Sequence, residues 1–302
     1  MESRGIKPDQ GWEKEVELLE ILKERMSSDE LLQIARAIRD SYSPFMPDRE
    51  LRGLLRQALP AGAVTDESFR LPSHDMVNTI LMNFYPGEEV VKYHLVKTRV
   101  HRRDEITAFE IGILNSRLDL GTINGRSYAY EIKTELDTLA KLERQLVDYS
   151  AVFEFVTVVA HEAHCPKVLS MIPMHCGVRS YRRTATGMKF RTVRTATRSP
   201  LLNSISQVSC LNSEELQWLL KENGVKNVGN TRKQRVEALL SRIPERRINA
   251  LFKYALKRRF KTRWQFVTEH FAEINPVDLQ TFFSSRIDPR ILYYRDSSIV
   301  YK

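Results

Sequence analysis

RLDLGTINGRSYAYEIKTELDTLAKLERQLVDY, Arg117–Tyr149, decides the fold. Its first half alternates with a period of two, as a half-buried strand does. Asn124-Gly125 is a strong signal for a tight hairpin turn, and Ser127–Thr134 reads as the returning strand. Within that strand Glu131 and Lys133 are two apart and project to the same side, while Ile132 points into the core. A carboxylate and an ammonium on an otherwise apolar strand are costly unless they are paired or used. Asp119 lies across the hairpin, so pairing the two strands brings it near Glu131. Beyond the strand, Leu136–Val152 carries Leu139, Leu142 and Leu146 at helical spacing. Gln145 and Tyr149, four apart, share one face of that helix and can return over the strand.

Upstream, Glu88–Val100 reads as a helix, and Phe109-Glu110-Ile111-Gly112-Ile113 as a strand. In that strand Glu110 faces away from Phe109, Ile111 and Ile113, on the side where Asp119 and Glu131 gather. Downstream, Phe155–Ala160 is a continuous apolar run of the kind found in buried central strands. Further strands are expected at Leu169–His175 and Lys189–Arg194, with a turn at Thr186-Gly187. The order describes an α/β fold with a mixed sheet. Helical regions flank it: Trp12–Met26, a second helix capped by Ser28-Asp29, Leu51–Leu59, and everything from Leu211 on.

Two converging carboxylates make an oxygen-donor site suited to Mg²⁺ or Mn²⁺. Such an ion can acidify a water and hold a phosphate oxygen, and Lys133 is placed to orient the water or offset developing charge. Glu110 could add a further ligand. Two like charges at one point repel without a metal, so removing Asp119 or Glu131 is expected to leave the metal-free fold intact or steadier.

An acid, a hairpin-length interval, Glu-x-Lys, and then Gln-x-x-x-Tyr on the next helix resembles the PD-(D/E)XK nucleases, in their RecB-type branch. The resemblance covers about Glu88–His175. It implies a nuclease core in which Asp119 and Glu131 bind metal and Lys133 is the catalytic lysine. Glu110 matches the upstream helix glutamate, and Gln145 and Tyr149 match a helix that contacts substrate or supports the site. Leu118 stands where the family motif usually has proline.

The charge suits a polyanion. The net charge is +9, and Ala163–Ser213 contains no Asp or Glu while carrying Arg182, Arg183, Arg191 and other cations. A second basic stretch runs from Arg246 through Lys253, Lys257, Arg258, Arg259 and Lys261 to Arg263. Over residues 211–243, a capped helix, a glycine-containing turn and a basic helix with Arg232, Lys233 and Arg235 resemble a SAP-type DNA-binding hairpin. These six basic residues are the expected phosphate contacts. DNA is the expected partner, with RNA as an alternative, and a protein or second copy could dock on the N-terminal helices.

The expected divisions are a helical region at 1–86, the nuclease-like core at 87–200, the SAP-like hairpin at 201–245 and a basic helical region at 246–302. Three cysteines form no even disulfide framework. No apolar run approaches the ~20 residues that span a bilayer, and Met1–Trp12 is polar. The expected setting is cytoplasmic. His161, His164, Cys165, His175 and Cys176 offer zinc-type ligands but lack recognised zinc spacing. No Gly-x-x-x-x-Gly-Lys phosphate loop is present. The expectation is a metal-dependent deoxyribonuclease, and the alternative is a non-catalytic nucleic-acid-binding or assembly protein on the same scaffold.

Overall fold

The computed structural model describes residues 10–60, 71–184 and 187–284, and they form two compact units. The first holds the residues as far as Tyr93 together with Glu273–Thr281. It contains α1 (Gln10–Arg25), α2 (Ser28–Ser41), α3 (Asp48–Ala58), α4 (Ser73–Phe84) and the start of α5 (Glu88–Lys97). Helix α2 starts where a capping box forms. The Ser27 side chain accepts from the Glu30 backbone N–H at 3.3 Å, and Glu30 accepts from that of Ser27 at 2.8 Å. Leu22, Ile38, Leu51, Leu55, Met76 and Ile80 close the core.

Glu273–Thr281 returns to this unit instead of staying with the basic C-terminal region. The Tyr42 hydroxyl donates to Asp278 Oδ1 at 2.9 Å, and Lys92 Nζ donates to Gln280 Oε1 at 2.7 Å. Lys92 is 1% exposed, so this hydrogen bond and its ion pair with Glu88 at 3.1 Å keep a buried ammonium satisfied.

The second unit holds His94–Ala272 with Phe282 and Phe283. Its six strands are β1 (Ile106–Ile113), β2 (Ser116–Ile123), β3 (Ser127–Lys133), β4 (Phe155–His161), β5 (Gly177–Thr184) and β6 (Gly187–Arg194). They lie in sequence order across one sheet. The pairs β1/β2, β2/β3 and β5/β6 are antiparallel, and β3/β4 and β4/β5 are parallel. The mixed α/β fold is as the sequence implies. Gly125 makes the β2–β3 turn at φ +100°, a conformation that costs glycine little.

The parallel connections carry α6 (Leu142–Val152) and α7 (Cys165–Met171). Right-handed crossovers between strands advancing in one direction put both helices on the same face of the sheet. Around these crossovers, two assignments differ from expectation. Leu169–His175 is not a strand: Pro166 starts helix α7, and Ile172, just before Pro173, is already extended, so β5 begins only at Gly177. Helix α6 starts at Leu142 and not Leu136, because the Thr134 N–H and hydroxyl both donate to Asp137 Oδ2 at 2.7 Å and fold the intervening residues as a turn. The expected turn at Thr186-Gly187 falls partly outside the described residues.

After the sheet come α8 (Ser204–Ser209), α9 (Ser213–Glu222), α10 (Arg232–Arg242), α11 (Glu245–Glu269) and the short α12 (Thr281–Ser284). Helix α11 buries Ile248, Phe252, Ala255, Leu256, Phe260, Trp264 and Val267, a stripe at helical spacing that leaves its cations on the other flank. None of the described helices is long and apolar enough to cross a membrane. All three cysteines are free thiols.

Candidate active site

Leu120 pairs with Tyr130 in the β2/β3 ladder, so the next position along sets Asp119 opposite Glu131. Asp119 Oδ2 accepts the backbone N–H of Ile132 at 2.6 Å, which fixes the carboxylate against β3. Glu131 is 1% exposed, and its Oε1 accepts a hydrogen bond from Lys133 Nζ at 2.6 Å. The i,i+2 geometry of a strand makes that bond possible: both side chains leave the same face while Ile132 packs on the other. Burial by itself would lower the Lys133 pKa. The Glu131 carboxylate outweighs it, with Asp119 and Asp137 adding, and the ammonium is held above its ordinary value. Lys133 is thus a charged, partly sequestered donor beside two carboxylates.

Glu110 joins from strand β1 and not from the helix that the resemblance implies, with its backbone at φ +54°, a left-handed conformation that is uncommon away from glycine. The β1/β2 register, Phe109 with Leu120 and Ile111 with Leu118, sets position 110 opposite Asp119, and carboxylate oxygens of the two acids lie within 4.8 Å of each other. Arg117 closes the outer side by an ion pair with Glu110 at 2.7 Å. The sequence reading gave Arg117 no role. Its signal was the period of two, which puts positions 117 and 119 on one side of β2.

Helix α6 lays Tyr149 over this group. The ring is fully buried, and its hydroxyl donates to the Arg117 carbonyl at 2.7 Å. Burial first, then the negative charge of Glu131 and Asp119, pushes the phenol far above its ordinary range, so it remains a neutral donor. Glu131 and Gln145 lie beside that hydroxyl. The structure therefore brings Glu110, Asp119, Glu131, Lys133, Gln145 and Tyr149 together.

The six expected phosphate contacts divide. Lys133 pairs with Ala160, Ala160 with Ser180, and Ser180 with Arg191, so Arg191 shares a sheet face and a transverse row with Lys133. Three strand spacings separate them, roughly 14 Å. Arg182 lies on the same face and is exposed. Arg183, its neighbour, points to the opposite face, where burial lowers its pKa while Glu135 and Tyr181 raise it.

Helices α9 and α10 form as expected, each with a capping box. Arg232 nevertheless spends its guanidinium on the Ser209 and Leu211 carbonyls, at 2.6 and 3.1 Å, and Arg235 donates to the Ser213 carbonyl at 3.0 Å. These two arginines fasten the hairpin. Lys233 is exposed.

Fold and site together define a mixed α/β protein with a buried acid–lysine centre under one helix. The chain belongs to the bacteriophage P4 protein cII family, whose model matches residues 87–282. Protein cII of Enterobacteria phage P4 is 26% identical over 144 residues, which cover 48% of this chain and 54% of that protein. The match thus spans about half the relative's length. A solved structure of a protein of unknown function from Silicibacter pomeroyi aligns with a TM-score of 0.31 and 14% identity, over 49% of this chain and 97% of that one.

Proposed function

We propose that this chain is a metal-dependent nuclease that hydrolyses phosphodiester bonds in DNA. The observation that carries the reading is the convergence of Asp119, Glu131 and Lys133 at the β2/β3 ladder, beneath Tyr149. Two oxygen-donor acids within 4.8 Å, Glu110 and Asp119, suit a hard divalent cation such as Mg²⁺ or Mn²⁺. Glu131, whose Oε1 takes the Lys133 hydrogen bond, has a second buried oxygen, Oε2, which supports a third ligand role for it. Bound there, the ion would supply a Lewis acid for a phosphate oxygen and lower the pKa of a water.

The chain's own residues do the rest. Lys133, held protonated, directs its donors at charge developing beside Glu131. Tyr149, fully buried, keeps a neutral hydroxyl beside Glu131 and shields it from bulk water. Arg182 and Arg191, on the same face of the sheet, are set to position a phosphate backbone. A cytoplasmic setting fits three free thiols.

One observation favours the second reading, a nucleic-acid-binding protein without catalysis. Each acid already has a protein partner: Glu110 has Arg117, Asp119 has the Ile132 N–H, and Glu131 has Lys133. Such a centre can serve as a purely structural network. Incubating the protein with linear, circular and single-stranded DNA under Mg²⁺, Mn²⁺ or chelator separates the two readings. A nuclease cuts only with metal and loses cutting in Lys133→Ala; a binding protein retards the DNA and leaves it whole.

A further inference from the structure

A cleft of about 590 Å³ lies in the second unit between the loop leading into β1 and the solvent flank of α11, and no step of the proposed chemistry uses it. Five cations line it, Arg102 and Arg103 from the loop and Lys257, Arg258 and Lys261 from the helix, against two carboxylates. One of these, Glu105, is 3% exposed and already held by Arg99 at 2.9 Å and Asn124 at 2.9 Å. Lys257 donates to the Asp104 carbonyl at 2.7 Å and so ties loop to helix, giving the cleft a fixed width. Arg103, Arg258 and Lys261 are exposed. The i,i+3 and i,i+4 spacing of α11 puts Lys257, Arg258 and Lys261 on one flank, away from its buried stripe.

The second observation is aromatic. Tyr254 is 55% exposed at the cleft edge, with its ring 4.9 Å from that of Trp218. The Arg258 guanidinium lies over the Trp218 ring at 4.2 Å. An exposed ring backed by a second ring and a stacked arginine is a rigid platform beside a row of cations. Polyanions without flat rings would use only the cations. Duplex DNA would also leave the platform idle, because its base faces are hidden in the stack. Single-stranded nucleic acid uses both, setting a base on the ring and its phosphates on the cations.

We propose that this cleft binds a short unpaired stretch of nucleic acid, with a base stacked on Tyr254 and phosphates held by Arg103, Arg258 and Lys261. The proposal goes beyond the cleavage reading and does not depend on it. The test is fluorescence anisotropy of a labelled oligo-dT with the full chain, in chelator, at several salt concentrations. Tyr254→Ala is expected to weaken binding about tenfold with the salt slope unchanged, and Tyr254→Phe to retain wild-type affinity. The triple variant Arg103→Gln/Arg258→Gln/Lys261→Gln is expected to flatten the log–log salt slope by about 2, at ~0.7 per released single-strand contact. All the altered side chains are exposed, and a melting curve verifies that each variant is folded. Wild-type binding by Tyr254→Ala or by the triple variant overturns the proposal. So does equal competition by a duplex of the same length, which would make the cleft a general phosphate track, or by polyglutamate, which would make it a site for acidic proteins. Because binding is read without metal, a chain that never cleaves DNA still decides the question.

Discussion

Lys133 Nζ and Glu131 Oε1 are 2.6 Å apart in a place that is nearly closed to solvent. Neither group would be tolerated there alone. Breaking a buried ion pair from one side leaves an uncompensated charge and typically costs about 3–5 kcal/mol. Lys133→Met and Glu131→Gln should therefore each lower the unfolding free energy by a few kcal/mol, read by urea denaturation. The double variant should lose less than the sum of the two. This reverses the expectation, drawn from like-charge repulsion, that removing Glu131 leaves the metal-free fold intact or steadier. Additive losses in the double variant would show that the pair does not support the fold.

The same pair sets a pH dependence. Lys133 has a folded-state pKa above its ordinary value of 10.5. A raised lysine contributes stability that is fully present below the unfolded pKa and lost as pH rises through the folded one. The wild type should thus lose more stability than Lys133→Met as pH climbs from neutrality through and beyond 10.5. Parallel curves for the two proteins would contradict this.

Tyr149 acts through its hydroxyl, which supports the Arg117 carbonyl and borders Glu131. Tyr149→Phe should cost about 1 kcal/mol of stability for one lost buried hydrogen bond. If the centre is catalytic, the variant should lower kcat more than it raises KM, since the hydroxyl orients carboxylates and does not reach for distant parts of the substrate. Calorimetry and steady-state kinetics on one preparation test both points. An unchanged melting temperature would show that the bond to Arg117 contributes nothing.

The basic residues should separate by their partners. Neutralising Arg182 and Arg191 should flatten the salt dependence of duplex DNA binding by about 1.8, at ~0.9 per contacted phosphate. Neutralising Arg232 and Arg235 should instead cost stability, because their guanidinium groups hold the carbonyls of Ser209, Leu211 and Ser213. A flatter slope from the second pair, with an unchanged melting temperature, would restore the hairpin as a DNA contact.

The legible parts were those governed by short-range periodicity. The Asn124-Gly125 turn, the Glu131/Lys133 side-sharing and the Gln145/Tyr149 face follow from periods of two and 3.6, and all three stand in the structure. Glu110 on the side of Asp119 follows from the same alternation, and only its left-handed backbone has no local signal. Two features were hidden because they depend on distant chain. Glu273–Thr281 joins the N-terminal unit through Tyr42–Asp278 and Lys92–Gln280, pairs far apart in sequence. Arg232 and Arg235 read as surface charge until the carbonyls at the end of α8 and the start of α9 are placed beside them. Leu169–His175 failed for a local reason, since the apolar run was read without the helix-starting weight of Pro166.

Metal-dependent cleavage of DNA by folded protein tests the central claim most directly. Wild type, Lys133→Met and Asp119→Asn would each be incubated with supercoiled, linear and single-stranded DNA under Mg²⁺, Mn²⁺ and chelator. Circular dichroism would confirm the fold of each sample. The nuclease account predicts broken phosphodiester bonds for wild type with either metal, none in chelator, and at least a hundredfold slower cutting by both variants, about 2.7 kcal/mol of transition-state stabilisation. Intact DNA with folded, DNA-bound wild type under every metal condition would contradict it, as would equal cutting by Lys133→Met.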